Sequence, residues 1–184
     1  MLKRIAAILD LKQGPVDMAD LLQFEKDHGF QLPPDYRTFL QHFDGGAVTD
    51  LDIGFSTMDY FKNRPGCEHC LYYVLPLRNY LGYSTVVDQL EIARSWYLED
   101  YNLGYDYTRD FISIALTGSN VNICLGCSEK YYGKVYLLDM GTSEPGNIDN
   151  LFLPLADSFA EFVLEVLQPC NEASAQLLAS RMSG

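Results

Sequence analysis

Residues 24–46 read FEKDHGFQLPPDYRTFLQHFDGG, and the punctuation inside this stretch decides how the chain begins to fold. Gly29 terminates one helix, for which Asp17 is the N-cap candidate and Leu21, Leu22, Phe24 and Glu25 form the body. Pro33-Pro34 opens a second, with Pro34 in the first turn, where a missing N–H costs nothing. Tyr36, Phe39, Leu40 and Phe43 then recur at helical spacing until Asp44-Gly45-Gly46 ends the helix. Two short helices joined at a glycine predict a packed pair. The second offers Arg37 as its only cation, so the pair is not a DNA reader.

Before this stretch, Met1–Lys12 reads as a short amphipathic helix closed by Gly14-Pro15. After it the period changes from helical to extended. Val48–Phe55 and Leu71–Leu77 have strand composition and flank a loop from Phe61 to Cys70. Thr85–Tyr101 reads as a helix with Val86, Leu90, Ala93, Tyr97 and Tyr101 facing inward. Three β-rich runs follow at Phe111–Leu116, Val121–Leu125 and Lys134–Leu138. Gly118 and Asn120 punctuate the first gap, and Gly133 the second. Ser158 and Glu161 make a capping box ahead of Phe159, Phe162, Val163, Val166 and Leu167. Pro169 stops that helix, and Ala173–Met182 adds a last one. The class is therefore α+β: a mostly antiparallel or mixed sheet flanked by helices, with a helical pair at the start and a helix at the end.

The chain has 184 residues, 48% apolar and 13% aromatic, which fits one domain with its own core. The expected layout is a single domain over 1–184, with a core at about 16–168 and a helical extension at 169–184. No apolar run approaches the roughly 20 residues of a membrane span. Ile5–Leu9 is too short for a signal-peptide core. The expected address is the cytoplasm, with no membrane partner.

Charge narrows the partners further. Thirteen Lys plus Arg stand against 25 Asp plus Glu, a net charge of −12. The imbalance is uneven: residues 135–180 hold no Lys or Arg, but carry Asp139, Glu144, Asp149, Asp157, Glu161, Glu165 and Glu172. Nucleic-acid affinity rests on cations that neutralise phosphates, and no basic stripe exists here. Direct nucleic-acid binding is therefore not expected. An acidic surface attracts basic proteins at long range; the plainer reading is that it keeps the chain in solution.

Catalytic provision is thin. The three histidines are His28 and His42 near helix ends, and His69 beside a cysteine. No G-x-S-x-G elbow, phosphate-binding glycine loop or H-E-x-x-H occurs. Cys67-Glu-His-Cys70 and Cys124-Leu-Gly-Cys127 are two C-x-x-C pairs, and Cys170 stands apart. Cys67, Cys70, Cys124 and Cys127 could supply a four-thiolate zinc site, with His69 as a spare ligand. Their separation is wider than that of familiar structural knuckles, and Cys124 sits in a strand pattern where cysteine is often a small buried hydrophobe. Disulfides are not expected in a reducing cytosol. No cofactor is implied.

Two segments suggest protein contact. Tyr101 to Tyr107 mixes tyrosine, asparagine and glycine beside Glu99, Asp100, Asp106 and Asp110, a composition suited to a binding loop. The alternative is that these tyrosines pack a helix end on the sheet. Asp50, Asp52 and Asp59 form a second acidic group without an EF-hand pattern.

The arrangement of Phe24-Glu25, Gly29, Leu32-Pro33, Asp35-Tyr36, Phe39-Leu40 and Asp44-Gly45-Gly46 resembles the SUKH superfamily, which includes bacterial toxin-immunity proteins and fungal cell-wall-assembly regulators. The likeness continues through Phe111–Ala115, Ile123–Leu125, Gly133–Tyr136, Ser158-Phe159 and Glu161-Phe162, covering roughly Val16 to Leu167. The resemblance implies an α+β fold, no enzymatic activity and, for many bacterial members, binding of a cognate polymorphic toxin, often a nuclease. Read together with the charge, it predicts an immunity protein that masks a basic toxin. The candidate contacts are Asp50, Asp52, Asp59, Glu99, Asp100, Tyr105 and Asp106. The alternatives are a recruitment or scaffold module of the same fold, and a zinc-binding module built on the cysteine pairs.

Overall fold

Asp17 precedes helix α2 (Met18–His28), and Gly29 closes it in the left-handed region at φ 74°, where an L side chain would be strained. Pro34 opens α3 (Pro34–Leu40) at its first position. These elements belong to a computed structural model that describes residues 1–12, 14–48, 50–57, 67–78, 84–95, 106–119, 121–138 and 151–184. The other described helices are α1 (Leu2–Ile8), α4 (Val86–Ser95), α5 (Phe159–Glu161, continuing as a π turn over Phe162–Val166) and α6 (Glu172–Ser183).

The described strands are β1 (Leu11–Lys12), β2 (Gly46–Ala47), β3 (Ile53–Phe55), β4 (His69–Val74), β5 (Phe111–Thr117), β6 (Asn122–Gly126), β7 (Val135–Leu138), β8 (Phe152–Ala156) and β9 (Gln168–Pro169). They run β1-β2-β4-β5-β6-β7-β8, each pair antiparallel. Strand β4 forks the sheet: Tyr73 and Val74 pair with β2, whereas His69 and Cys70 pair with β3, whose far side takes β9. The fold is α+β with a curled antiparallel sheet.

Both sheet faces are covered. The larger core joins α1, α2, α3 and α5 to one face, where Tyr36 and Phe39 meet the Phe159 ring at 5.1 and 5.3 Å. The smaller lies on the other, around Phe111 stacked on Phe152 at 3.9 Å, with Tyr107, Tyr136 and Leu138. Strand β5 is buried at every position, which accounts for its unbroken apolar run.

Three sequence expectations need correction. Val48–Phe55 is not one strand. The Asp50 N–H donates to the Asp10 carboxylate (3.0 Å) and the Asp52 N–H to the Ser174 hydroxyl (2.9 Å), so the ladder breaks between β2 and β3. The N-terminal helix stops at Ile8, and residues 11–12 become strand. Strand β8 was not foreseen, because Pro154 interrupts its pattern; proline is tolerated there since β8 ends the strand order.

Candidate functional site

The acidic residues of the opening motif are spent on the fold itself. Glu25, largely buried at the end of α2, accepts from the Leu32 N–H (2.7 Å) and from the Arg37 guanidinium. Asp35 accepts from Tyr36 N–H (2.9 Å) and reaches the Ala160 N–H of α5 (2.8 Å). Asp44 is fully buried and gathers the Leu77 N–H (2.6 Å), the Arg78 N–H (3.2 Å) and Arg78 Nε (3.1 Å). Each carboxylate supplies acceptors to donors that burial would otherwise orphan. These acids brace the fold rather than face a partner.

Other acids among the described residues stay exposed around a groove. A groove of about 800 Å³ opens between β3, β8, β9 and the start of α6. Gly54, Phe55 and Thr57 line it on the β3 side, and Leu153–Leu155 of β8 also contribute. Glu165 of α5 and Glu172 of α6 add its charge; no lining residue is Lys or Arg. Both glutamates are exposed, and neither pairs with a cation among the described residues. Eleven of the sixteen lining residues fall within residues 135–180, the stretch without a single cation. The charge asymmetry of the sequence thus becomes a surface feature.

Two more acids lie against α6, Asp52 at its start and Asp50 near its end. Asp52 accepts from Asn171 Nδ2 (2.6 Å), and its carbonyl takes the Cys170 N–H (2.7 Å). Asp50 pairs with Arg181 of α6 (3.2 Å), which also holds Asp10 (2.7 Å). Asp52 is thus held beside the groove residue Asn171, and Asp50 at the other end of the helix. Asp106 has a different setting: it accepts from the Thr108 N–H (3.1 Å) and hydroxyl, pairs with Arg109 (3.5 Å), and caps the turn at Tyr107–Arg109. Tyr107 is buried against Phe152 (5.4 Å), the packing alternative for its segment. Asp59, Glu99, Asp100 and Tyr105 lie outside the described residues.

The cysteines depart from both sequence expectations. Cys67 is joined to Cys170 in a disulfide, so the single cysteine pairs with half of the first C-x-x-C. Chain curvature at β4, β3 and β9 brings their Cα atoms to 5.0 Å across 103 residues of sequence, a proximity that sequence spacing does not reveal. Cys70 Sγ lies 3.8 Å from Cys170 Sγ. Cys124 and Cys127 are buried in separate cores, Cys124 beside Phe111 and Cys127 in the larger cluster. Burial pushes the Cys124 thiol up to about 12 and raises that of Cys127 as well, so both remain protonated thiols. Among the described residues no three His, Cys, Asp or Glu side chains come together as a metal site, and the four-thiolate set is not assembled.

Glu165 and Glu172 were passed over as contacts by residue-level reading. The signal that could have found them is the cation-free run in which both lie. Comparison with known families adds one finding: the model of the SMI1 / KNR4 family (SUKH-1) matches residues 15–165. No curated protein matches the chain.

Proposed function

The chain belongs to the SMI1/KNR4 family, SUKH-1, and from that premise we propose an immunity protein that binds and masks a basic protein toxin through its acid-lined groove. Family membership supports an immunity-type role in general, since members of the family are generally non-enzymatic immunity or regulator proteins. The observation that carries the specific reading is the groove itself, bearing Glu165 and Glu172 and no cation. A nuclease-type toxin needs a basic cleft to hold phosphates, and carboxylates presented at matching spacing occupy the same positions. Complementary fields raise association rates and exclude wrong partners, while truncating one partner of a buried charge pair costs about 2–5 kcal/mol.

The contact set we propose is Glu165 and Glu172, with Asp52 beside Asn171 at the groove and Asp50 farther along α6. Asp59, Glu99, Asp100, Tyr105 and Asp106 remain proposed contacts on the strength of the sequence. The cytoplasm is the proposed place of action. Thiol pools there keep most disulfides reduced, so the state of Cys67 and Cys170 in the cell becomes a property to measure.

Co-expression with basic nuclease-type toxin domains, sought among the genes adjacent to that of this chain, tests the reading. Growth should be rescued by the native chain and lost with the Glu165→Lys, Glu172→Lys double variant, provided that variant keeps the native thermal transition. Rescue undiminished by the double charge reversal would remove the groove from the account. Failure of the native chain to rescue any adjacent toxin would remove the immunity role.

A further inference from the structure

Three sulfurs meet where β4, β3 and β9 run side by side. Cys67 and Cys170 are bonded, and Cys70 Sγ stands 3.8 Å from Cys170 Sγ. The strand between them presents Gly54, which pairs with Cys70 on one side and with Gln168 on the other, and carries no side chain to separate the sulfurs. A Cβ at that position would stand 2.1 Å from the His69 carbonyl oxygen, so the close approach requires glycine. Cys70 is exposed to solvent. A thiol, a disulfide and an open path are the requirements of thiol–disulfide exchange.

We propose that Cys67, Cys70 and Cys170 form an internal thiol–disulfide exchange site that moves the tether of the C-terminal segment between Cys67, just ahead of β4, and Cys70 on β4. In the forward step the Cys70 thiolate attacks Cys170 Sγ. The Cys70–Cys170 bond forms, the Cys67–Cys170 bond breaks, and the electron pair leaves on Cys67 as thiolate. The proton lost by Cys70 is balanced by one gained at Cys67, and no external oxidant or reductant is consumed. Cys170 stays tethered throughout, so β9 and α6 remain fastened to β4. The freed sulfur is that of Cys67, which lines the groove. This exchange does not depend on what the groove binds.

Rate should follow the Cys70 thiolate. Partial desolvation by neighbouring groups, then the Asp52 carboxylate, raise its pKa, so the step accelerates as pH rises above the usual thiol range. The charged groups around it are Asp52 ahead of β3, Glu68 just before β4 and His69 on β4, the last two 3.6 Å apart. Where the attacking thiol's pKa lies above ambient pH, the gain in thiolate fraction outweighs the loss of nucleophilicity as pKa falls. Asp52→Asn should therefore speed exchange by roughly threefold or more.

The test uses the full chain purified without reductant and held anaerobically at alkaline pH. Aliquots are quenched with N-ethylmaleimide and digested with trypsin and a glutamate-specific protease. The second enzyme is needed because Cys67 and Cys70 share a tryptic fragment that only cleavage after Glu68 divides. The Cys70–Cys170 peptide should grow as Cys67–Cys170 declines, with maleimide moving from Cys70 to Cys67. In Cys67→Ser, glutathione disulfide should drive formation of Cys70–Cys170 in protein with a native-like thermal transition. Persistence of Cys67–Cys170 alone, with Cys70 still carrying the label, overturns the proposal. So does a Cys67→Ser protein that stays folded and never forms the second bond.

Discussion

Asp44 shows how much a single buried carboxylate can hold. It unites the turn after α3 with Leu77 and Arg78 beyond β4, and Asp44→Ala leaves buried donors unpaired. The expected loss is about 1–3 kcal/mol in denaturant unfolding, because the buried Leu77 N–H loses its acceptor while Arg78 keeps water and the Gly14 and Pro15 carbonyls. Tyr36 is the opposite case. Its hydroxyl is buried without a hydrogen-bond partner among the described residues, and burial raises its pKa well above the usual phenol value. Tyr36→Phe should be neutral or stabilise by up to about 1 kcal/mol; a clear loss would reveal a partner for that hydroxyl. His28 packs on Phe24 and Phe30 at 4.7 and 6.0 Å. Burial first, then Arg94, lower its pKa, against smaller raising effects from Asp27 and Glu91. A histidine with a depressed folded pKa resists protonation in the native state while the unfolded chain accepts it. Stability should therefore fall as pH drops below about 6.5, and His28→Gln should flatten that part of the profile in thermal melts. These residues were legible by type. Asp44 was visible as a helix-ending acid, but its three donors come from residues 77 and 78, which no local pattern connects to it.

At the scale of elements, local signals succeeded wherever the physics is local. The Ser158 hydroxyl accepts from the Glu161 N–H (3.0 Å), the capping box read from spacing alone. Ser158→Ala should cost about 1 kcal/mol in thermal unfolding, because that N–H then loses its acceptor. The three central strands were legible for a similar reason: continuous burial demands continuous apolar residues, as in β5. Strands β8 and β9 were not, since one contains Pro154 and the other is two residues long and owes its existence to pairing with β3. The C-terminal helix was foreseen, its attachment was not. Asn171 caps it by accepting from the Ser174 N–H (2.8 Å), Arg181 ties it to Asp10 and the Ala7 carbonyl, and Cys170 fastens its start to Cys67. Closing a loop of 103 residues restricts the unfolded chain, so Cys170→Ser should lower stability by about 2–5 kcal/mol under non-reducing conditions. Little change would mean that packing of α6 on α1 carries the attachment.

Across the whole molecule the decisive quantity is where −12 is displayed. The sequence located the imbalance in residues 135–180, and folding gathers most of the groove lining from that stretch. Composition could not show that gathering, because β3 and Thr57 complete the groove from a distant part of the sequence. The account stands or falls on electrostatic recognition. The most direct test of the proposed role is the association rate of the chain with the purified toxin domain that it neutralises in co-expression, measured by stopped flow from low to high salt. Exposed charges are screened beyond about 8 Å at physiological ionic strength. The native rate should fall steeply with salt, and at low salt Glu165→Lys, Glu172→Lys should slow it about tenfold or more. A rate indifferent to both salt and charge reversal would contradict the account.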